Sequence, residues 1–99
     1  MSLKSEVFSL IKKIPAGKIS TYGAVARALG KPLAARAVGN ALNKNRDFVK
    51  ISCHRVVRSD GKIGGYVLGE KEKTEKLRKE GIKIEKGSVI NFEKYLYKF

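Results

Sequence analysis

The strongest constraint on the fold is a pair of short helical segments separated by a glycine and a proline. Thr21 is a suitable N-cap for the first segment. The apolar side chains that follow keep helical spacing, at Tyr22, Val25, Ala26 and Leu29. Gly30 ends this helix, and Pro32 suits the first turn of the next, which runs to about Asn43. Two short helices joined by a tight glycine-containing turn predict a helix-turn-helix.

The second of these helices has an unusual outward face. Its inward side is apolar and consists of Ala34, Ala37, Val38, Ala41 and Leu42. The outward stripe recurs at i, i+3, i+4 and i+7 and consists of Arg36, Gly39, Asn40 and Asn43. Small polar residues with one long cation favour close approach to a nucleic-acid groove. The alternative is an ordinary solvated face, although such faces normally carry more Glu and Lys.

The remaining segments complete one small domain. Helices are predicted over roughly residues 3–13 and 70–80, and residues 56–63 predict a β-hairpin around a glycine turn. The aromatic tail predicts a terminal helix or turn packed on the core. Because 99 residues fit one modest core, we expect a mostly α-helical, winged helix-turn-helix-like domain over residues 1–99. Residues 85–99 form a tail of uncertain role.

The charge of the chain favours a polyanionic partner. The net charge is +13 and the pI is near 10.1. Between Val7 and Arg58 there are eleven Lys or Arg and one acid, Asp47. Such a surface attracts nucleic acid or an anionic membrane. The alternative is a lysine-rich surface of the thermophile type that has no partner.

The chain has one cysteine, Cys53, followed directly by its one histidine, His54. This composition excludes an internal disulfide and a structural zinc site built from Cys and His alone. We therefore expect no metal and no cofactor, and a reducing cytosol. No apolar run reaches membrane-spanning length.

A thiol beside an imidazole suggests nucleophilic chemistry. Only the thiolate is a strong nucleophile, so a base must take the proton of Cys53, and His54 is the available imidazole. Glu80, or less favourably Asp47 or Asp60, could orient that imidazole. The alternatives remain open: a buried structural cysteine, a turn role for Asp60 and a solvated helix position for Glu80.

Several stretches together carry a family resemblance. They are Cys-His-Arg-Val at residues 53–56, the preceding Asn45, Ala-Ala-Arg-Ala-Val-Gly at 34–39 and Gly-Gly-Tyr at 64–66. Over roughly residues 1–85 the chain closely resembles the O6-alkylguanine-DNA alkyltransferases. These repair proteins move an alkyl group from damaged guanine onto their own cysteine.

The resemblance implies roles for the site residues. Cys53 would be the alkyl acceptor, His54 its base through a water, Glu80 the group that orients His54, and Asn45 a support for the turn. Tyr22 would rotate the target phosphate. The rest of the implied DNA-binding set is Arg36, which fills the gap left by the flipped base, with Ala35, Gly39 and Asn40. The alkylguanine pocket would be lined by Tyr66, Val56 and Val67.

Three departures from the family accompany the resemblance. Ser52 replaces the usual proline before the cysteine, which suggests a looser turn. The sequence has no counterpart of the family's common N-terminal domain, so the zinc site sometimes found there is not expected. The aromatic tail after Gly87 lies outside the match. Related alkyltransferase-like proteins replace the cysteine, usually with tryptophan, and Cys53 argues against that class.

The sequence thus predicts direct, single-turnover repair of O6-alkylguanine in double-stranded DNA. We expect a monomer that acts in the cytoplasm at the nucleoid, or in the nucleus of a eukaryote, without membrane contact. One alternative is a non-enzymatic lesion sensor, and another is a winged-helix regulator with an incidental cysteine.

Overall fold

The computed structural model describes residues 2–99, which form four α-helices, two 3-10 turns and four two-residue strands. In chain order they are α1 (Leu3–Ile11), β1 (Ser20–Thr21), α2 (Tyr22–Ala28), α3 (Ala35–Leu42), a 3-10 turn (Cys53–Arg55), β2 (Val56–Val57), α4 (Glu70–Lys79), β3 (Ile84–Glu85), β4 (Ser88–Val89) and a second 3-10 turn (Phe92–Tyr95). The predicted class, mostly α-helical with a small β-hairpin, is confirmed. Within residues 2–99 no helix is both long and apolar enough to cross a bilayer.

Strand β2 joins two hydrophobic cores. Val56 and Val57 are both 0% exposed, and they serve different cores because successive strand side chains point to opposite faces. The core around α1, α2 and α3 contains Val7, Ile11, Ile14, Val25, Ala26, Val38, Ala41, Leu42, Ile51, Cys53 and Val56. The core under α4 contains Ile19, Val57, Ile63, Leu77, Ile82, Ile84, Val89 and Tyr95. The thiol therefore lies at the edge of the helix-turn-helix core.

The start of the helix-turn-helix follows the sequence pattern. Thr21 caps α2, since its hydroxyl oxygen accepts a hydrogen bond of 3.0 Å from the backbone amide of Ala24. Gly30 follows α2 with a φ of 75°, a left-handed conformation that favours glycine.

The expected place of Pro32 in the first turn of α3 is wrong. The helix begins at Ala35, and Pro32 lies in the connecting segment. The Ala34 amide donates to the Lys31 carbonyl at 2.9 Å, so residues 31–34 close a turn. Proline is favoured at the second position of such a turn, which explains why Pro32 lies in this turn and not in the first turn of α3.

The expected hairpin at residues 56–63 is also placed differently. The chain does reverse direction there, and the Arg58 amide donates a hydrogen bond to the Lys62 carbonyl at 2.9 Å. However, β2 pairs in parallel with β1, and Lys62 bridges Ser88 instead. Two consecutive buried valines are typical of a strand covered on both faces, as parallel strands are. The antiparallel hairpin of the structure is β3–β4.

The aromatic tail is part of the fold. The Ile19 amide donates to the Tyr95 carbonyl at 2.9 Å, and the Tyr97 amide donates to the Ile19 carbonyl at 2.8 Å. The tail thus hydrogen-bonds the residue that precedes β1, and Tyr95 is buried in the second core. It forms a 3-10 turn packed on the core, within the expected range of a helix or turn.

Helix α4 brings the charged segment of the sequence against the cysteine turn. It contacts the 3-10 turn at Cys53–Arg55, and Leu77 is its one fully buried apolar residue. Gly81 ends it with a φ of 88°. The face of α4 that contains Leu77 therefore supplies side chains to the site.

The cap of α2 can be tested by substitution. Thr21→Ala should lower the free energy of unfolding by about 1 kcal/mol, because the Ala24 amide loses its acceptor. Thr21→Ser keeps the hydroxyl and should lose clearly less, as measured by urea unfolding. Equal losses in the two variants would show that packing of the threonine methyl, not capping, is what matters.

Candidate functional site

The cysteine lies in a turn that Asn45 holds together. Cys53 is 5% exposed, and its amide donates to the Ile51 carbonyl at 2.9 Å. The Asn45 side-chain amide donates to the same carbonyl at 3.0 Å and approaches the Cys53 sulfur at 3.3 Å. The Asn45 carbonyl oxygen accepts the Asp47 amide at 2.9 Å. One buried amide thus fixes both the loop and the thiol.

His54, Arg55 and Glu80 form a connected group beside the thiol. His54 Nε2 lies 3.1 Å from Glu80 Oε2. The Arg55 guanidinium donates to both oxygens of Glu80, at 2.9 Å from Nε and 2.6 Å from Nη2. Its Nη1 donates to the Ile14 carbonyl at 2.7 Å. The carboxylate therefore lies between the imidazole and a guanidinium that is itself anchored.

The electrostatics of this group define the protonation of the imidazole. Burial alone would raise the pKa of Glu80, but hydrogen bonds from Arg55 and His54 lower it below its usual value. Burial lowers the pKa of His54, and the opposing attraction of Glu80 does not cancel this effect. At neutral pH His54 is thus neutral beside an ionised Glu80. A carboxylate can only accept, so the proton resides on Nε2 and Nδ1 is free to accept. Among residues 2–99, no group hydrogen-bonds to the buried Nδ1.

The other two candidate carboxylates lie elsewhere. Asp60 pairs with Arg58 at 2.9 Å on the surface and accepts the Lys62 amide, which is a turn role. Asp47 accepts the amide of Lys50 at 3.0 Å in its own loop. Of the three, Glu80 is the one that the structure brings to His54.

A buried lysine on α4 was missed by the sequence analysis. Lys73 is 0% exposed, and its ammonium donates to the carbonyls of Val56 at 2.7 Å and Gly65 at 3.0 Å. It also lies 3.4 Å from the Tyr22 hydroxyl. Burial lowers the pKa of Lys73 to about 8, although the nearby Cys53 opposes this effect. The signal was its i, i+4 spacing from Leu77, which places it on the inward face of α4.

The predicted DNA-binding residues line one groove. This groove, about 580 Å³ in volume, contains Tyr22, Ala35, Arg36, Gly39, Asn40, Asn43, Arg58, Gly64 and Gly65. All five predicted residues are in this set, and Arg58 adds a second cation. A Cβ on Gly64 would lie 3.2 Å from the Tyr22 hydroxyl and 3.3 Å from Arg58, at a φ of 73°. Glycine at this position therefore lets the chain pass close to Tyr22.

A second, small cavity lies beside this groove and reaches the thiol. It is lined by Tyr22, Gly39, Leu42, Asn43, Cys53, Gly65, Tyr66 and Val67. Four of these residues also line the groove, so the two spaces are neighbours. The cavity measures only about 10 Å³, which is close to the volume that one water needs. Of the three predicted pocket residues, Tyr66 and Val67 line it. Val56 does not, and its carbonyl faces Lys73.

Three further site residues were not singled out from the sequence. Arg55 lies within the Cys-His-Arg stretch, and its adjacency to the cysteine was the available signal. Lys76 donates to the Tyr66 hydroxyl at 2.9 Å, and Phe48 packs edge-on against Tyr66 at 6.2 Å between ring centroids. Nothing local to Phe48 indicates this contact, because it joins two loops that are 18 residues apart in the sequence.

Comparison with known proteins places most of the chain in one family. Residues 2–82 match the family model of the 6-O-methylguanine DNA methyltransferase DNA-binding domain. A bifunctional methyltransferase/endonuclease of Picrophilus torridus is 46% identical over 89 residues, which are 90% of this chain and 30% of that protein. A methylated-DNA--protein-cysteine methyltransferase of Saccharolobus islandicus is 49% identical over 78 residues, 79% of this chain and 50% of that protein. The chain spans half or less of the length of these two relatives.

Solved structures share the fold. The S. pombe Atl1 structure in complex with damaged DNA containing O6-carboxymethylguanine has a TM-score of 0.87 at 32% identity, covering 100% of both chains. The Mycobacterium tuberculosis OGT structure in complex with DNA has a TM-score of 0.79 at 36% identity, covering 82% of this chain and 49% of that one.

The buried lysine predicts a distinct dependence of stability on pH. Lys73 has an ordinary pKa of 10.5 in the unfolded chain and about 8 in the folded one. Between these values the unfolded chain binds more protons, so this group makes stability rise with pH. The rise should amount to at most about 3 kcal/mol between pH 8 and 10.5, and Lys73→Met should lack it.

Urea unfolding at the two pH values measures this difference. Lys79→Met, which changes an exposed lysine of the same helix, should keep the rise of the wild-type protein. An identical pH dependence in Lys73→Met and wild type would contradict a lowered pKa of Lys73.

Proposed function

Because the chain belongs to the 6-O-methylguanine DNA methyltransferase family, we propose that it repairs O6-alkylguanine in duplex DNA by moving the alkyl group irreversibly onto Cys53. The observation that carries this proposal is the position of the one thiol. Cys53 lies at the end of a cavity that adjoins the groove of Tyr22 and Arg36, and beside a neutral imidazole. Neither a metal nor a coenzyme takes part in the proposed transfer.

The neighbours of Cys53 support generation of a thiolate. The thiol gives its proton to His54 Nδ1 through a bridging water, and Glu80 holds Nε2 and stabilises the imidazolium that forms. The Asn45 amide, 3.3 Å from the sulfur, donates to the resulting anion. The buried ammonium of Lys73 adds a favourable positive charge.

The transfer itself is a displacement at the alkyl carbon. A sulfur electron pair forms the S–C bond while the bond between that carbon and guanine O6 breaks. The electron pair stays on the guanine oxygen, and the base regains a proton from the imidazolium or from solvent. The thioether product is stable, so each protein molecule acts once.

The groove residues support extrusion of the target base. The reactive atom is hidden inside the duplex, so the nucleotide must leave the stack at a cost of about a few kcal/mol. Arg36 is exposed on the outward face of α3, where it can enter the stack and fill the gap. Ala35, Gly39 and Asn40 keep that face small, and Tyr22 lies where groove and cavity meet. The cavity must widen before it accepts a purine.

The replacement of proline by Ser52 is compatible with this function. Ser52 has a φ of −84°, near the value that proline imposes, and its carbonyl accepts the Arg55 amide at 2.9 Å. Asn45 supplies the remaining restraint on the turn. We propose that residues 1–99 act as one DNA-binding and alkyl-acceptor unit that includes the tail.

A second candidate is a lesion sensor that binds without reacting. The observation that favours it is the likeness to S. pombe Atl1 over the full length of both chains. The two functions differ in whether Cys53 becomes alkylated.

Incubation with DNA containing O6-methylguanine should add one methyl group to the protein, on Cys53. Intact-mass measurement followed by peptide mapping detects it. Cys53→Ala should gain no mass and still bind the DNA, because the thiol contributes no charge to the groove. Folded wild-type protein whose mass stays unchanged while it binds the lesion would favour the sensor.

Arg36→Ala should slow repair of duplex DNA far more than reaction with free O6-methylguanine, which needs no extrusion. We expect a differential loss of about tenfold or more, since the side chain offsets part of the flipping cost. Lys12→Ala removes an exposed cation outside the groove and serves as the control. Equal losses on both substrates would mean that Arg36 acts in some way other than base extrusion.

A further inference from the structure

Lys76 lies close to two aromatic rings, and one of them, Tyr66, lines the small cavity beside Cys53 (the thiol cavity). Its ammonium is 5.3 Å from the ring centroid of Phe48 and 5.4 Å from that of Tyr66. It also donates a hydrogen bond of 2.9 Å to the Tyr66 hydroxyl. The two rings pack edge to face at 6.2 Å. A half-buried lysine with three such contacts differs from an ordinary solvated helix lysine.

Tyr66 is one wall of that cavity. Its ring lines the space beside Cys53 and packs against the His54 ring at 6.5 Å between centroids. The cavity of about 10 Å³ has no room for an alkyl group attached to a base. Such a group can therefore enter only when a wall of the cavity moves, and the ring of Tyr66 is one of these walls.

The backbone around Tyr66 permits such movement. Gly64, Gly65 and Gly69 flank it, and Gly69 has a φ of 96°. The Lys73 ammonium donates a hydrogen bond to the Gly65 carbonyl, whereas within residues 2–99 the Tyr66 hydroxyl has Lys76 as its one hydrogen-bond partner. The ring is thus anchored from α4, which the buried Lys73 and Leu77 fix in place.

We propose that Lys76 is a positioning residue that holds the Tyr66 ring as a close wall beside Cys53, and so restricts the pocket to small alkyl groups. The identity of the substrate class rests on the function proposed above. The proposed effect of Lys76 on the position of Tyr66 does not depend on that function, because it follows from the contacts of Lys76. Lys76 touches neither the thiol nor the base and acts through Tyr66.

The first experiment measures alkyl-size selectivity. Rates of alkylation by free O6-methylguanine and O6-benzylguanine are followed by intact mass in wild type, Lys76→Met and Lys76→Arg. Methionine keeps the length but loses the charge and the donor, so the benzyl-to-methyl rate ratio should rise about tenfold, as expected for one charge-assisted hydrogen bond. Arginine keeps both properties and should preserve the wild-type ratio. An unchanged ratio in Lys76→Met would overturn the proposal.

The second experiment does not depend on alkyl transfer from guanine. Cys53 is the one cysteine, so its labelling by iodoacetamide and by a bulky fluorescein maleimide reports access to the cavity. Lys76→Met should accelerate the bulky reagent relative to the small one, and Tyr66→Phe should do so to a smaller extent. Lys79→Met, an exposed lysine on the same helix, should leave the ratio unchanged.

The two experiments separate the two proposals. If wild-type protein takes no alkyl group from guanine but the labelling ratio responds to Lys76→Met, the alkyl-transfer function fails and the role of Lys76 stands. If wild type is alkylated but neither ratio responds in folded Lys76→Met, the function stands and the role of Lys76 is overturned. Urea unfolding confirms that each variant is folded.

Discussion

The bidentate contact between Arg55 and Glu80 is the interaction on which the rest of the site depends. Through it the cysteine turn is joined to the end of α4, and through the Ile14 carbonyl it is joined to the segment after α1. The guanidinium keeps Glu80 ionised, and an ionised carboxylate determines which nitrogen of His54 carries the proton. Both side chains are largely buried, so removing either would leave an unpaired charge in the interior. Lysine could not replace Arg55, because one ammonium cannot contact two carboxylate oxygens and a carbonyl in this planar arrangement.

Helix α4 shows how a helix of charged residues can serve as an inner wall. Lys73, Lys76 and Leu77 lie on its inward side, and Glu80, which directly follows its last residue, continues that side. Each charged member has a partner there. Lys73 meets two carbonyls, Lys76 meets two aromatic rings and a hydroxyl, and Glu80 meets Arg55 and His54. Burial of Lys73 is tolerated because two carbonyl oxygens replace part of the hydration of its ammonium group. Its pKa is nevertheless lowered, because these contacts do not offset the whole desolvation cost of the charge. The site around the thiol is therefore polar and nearly closed to solvent.

The groove and the thiol cavity lie side by side because the residues between them are small. Tyr22 belongs to both spaces, with Gly39 on one side and Gly64 on the other. A Cβ at Gly64 would lie 3.2 Å from the Tyr22 hydroxyl, at a φ of 73°, so glycine is favoured there and the backbone itself forms the boundary. The tail also supports this region. It forms backbone hydrogen bonds with Ile19, which directly precedes strand β1 and the site residue Tyr22.

The sequence by itself determined the approximate positions of the helices and the chemistry available to them. Helical spacing and the Thr21 cap were enough for the helix-turn-helix, and the one thiol beside the one imidazole was enough to locate a candidate site. Tertiary structure decided the partners. Local propensity favoured a hairpin after Val57, but burial on both faces paired β2 with β1 instead. Spacing along α4 placed Lys73 on the inward face but could not show which groups it meets there, nor that Glu80 meets His54 and not water, because these contacts join residues 17 and 26 positions apart. Such contacts depend on how α4 packs against the cysteine turn, which periodicity within one helix does not encode.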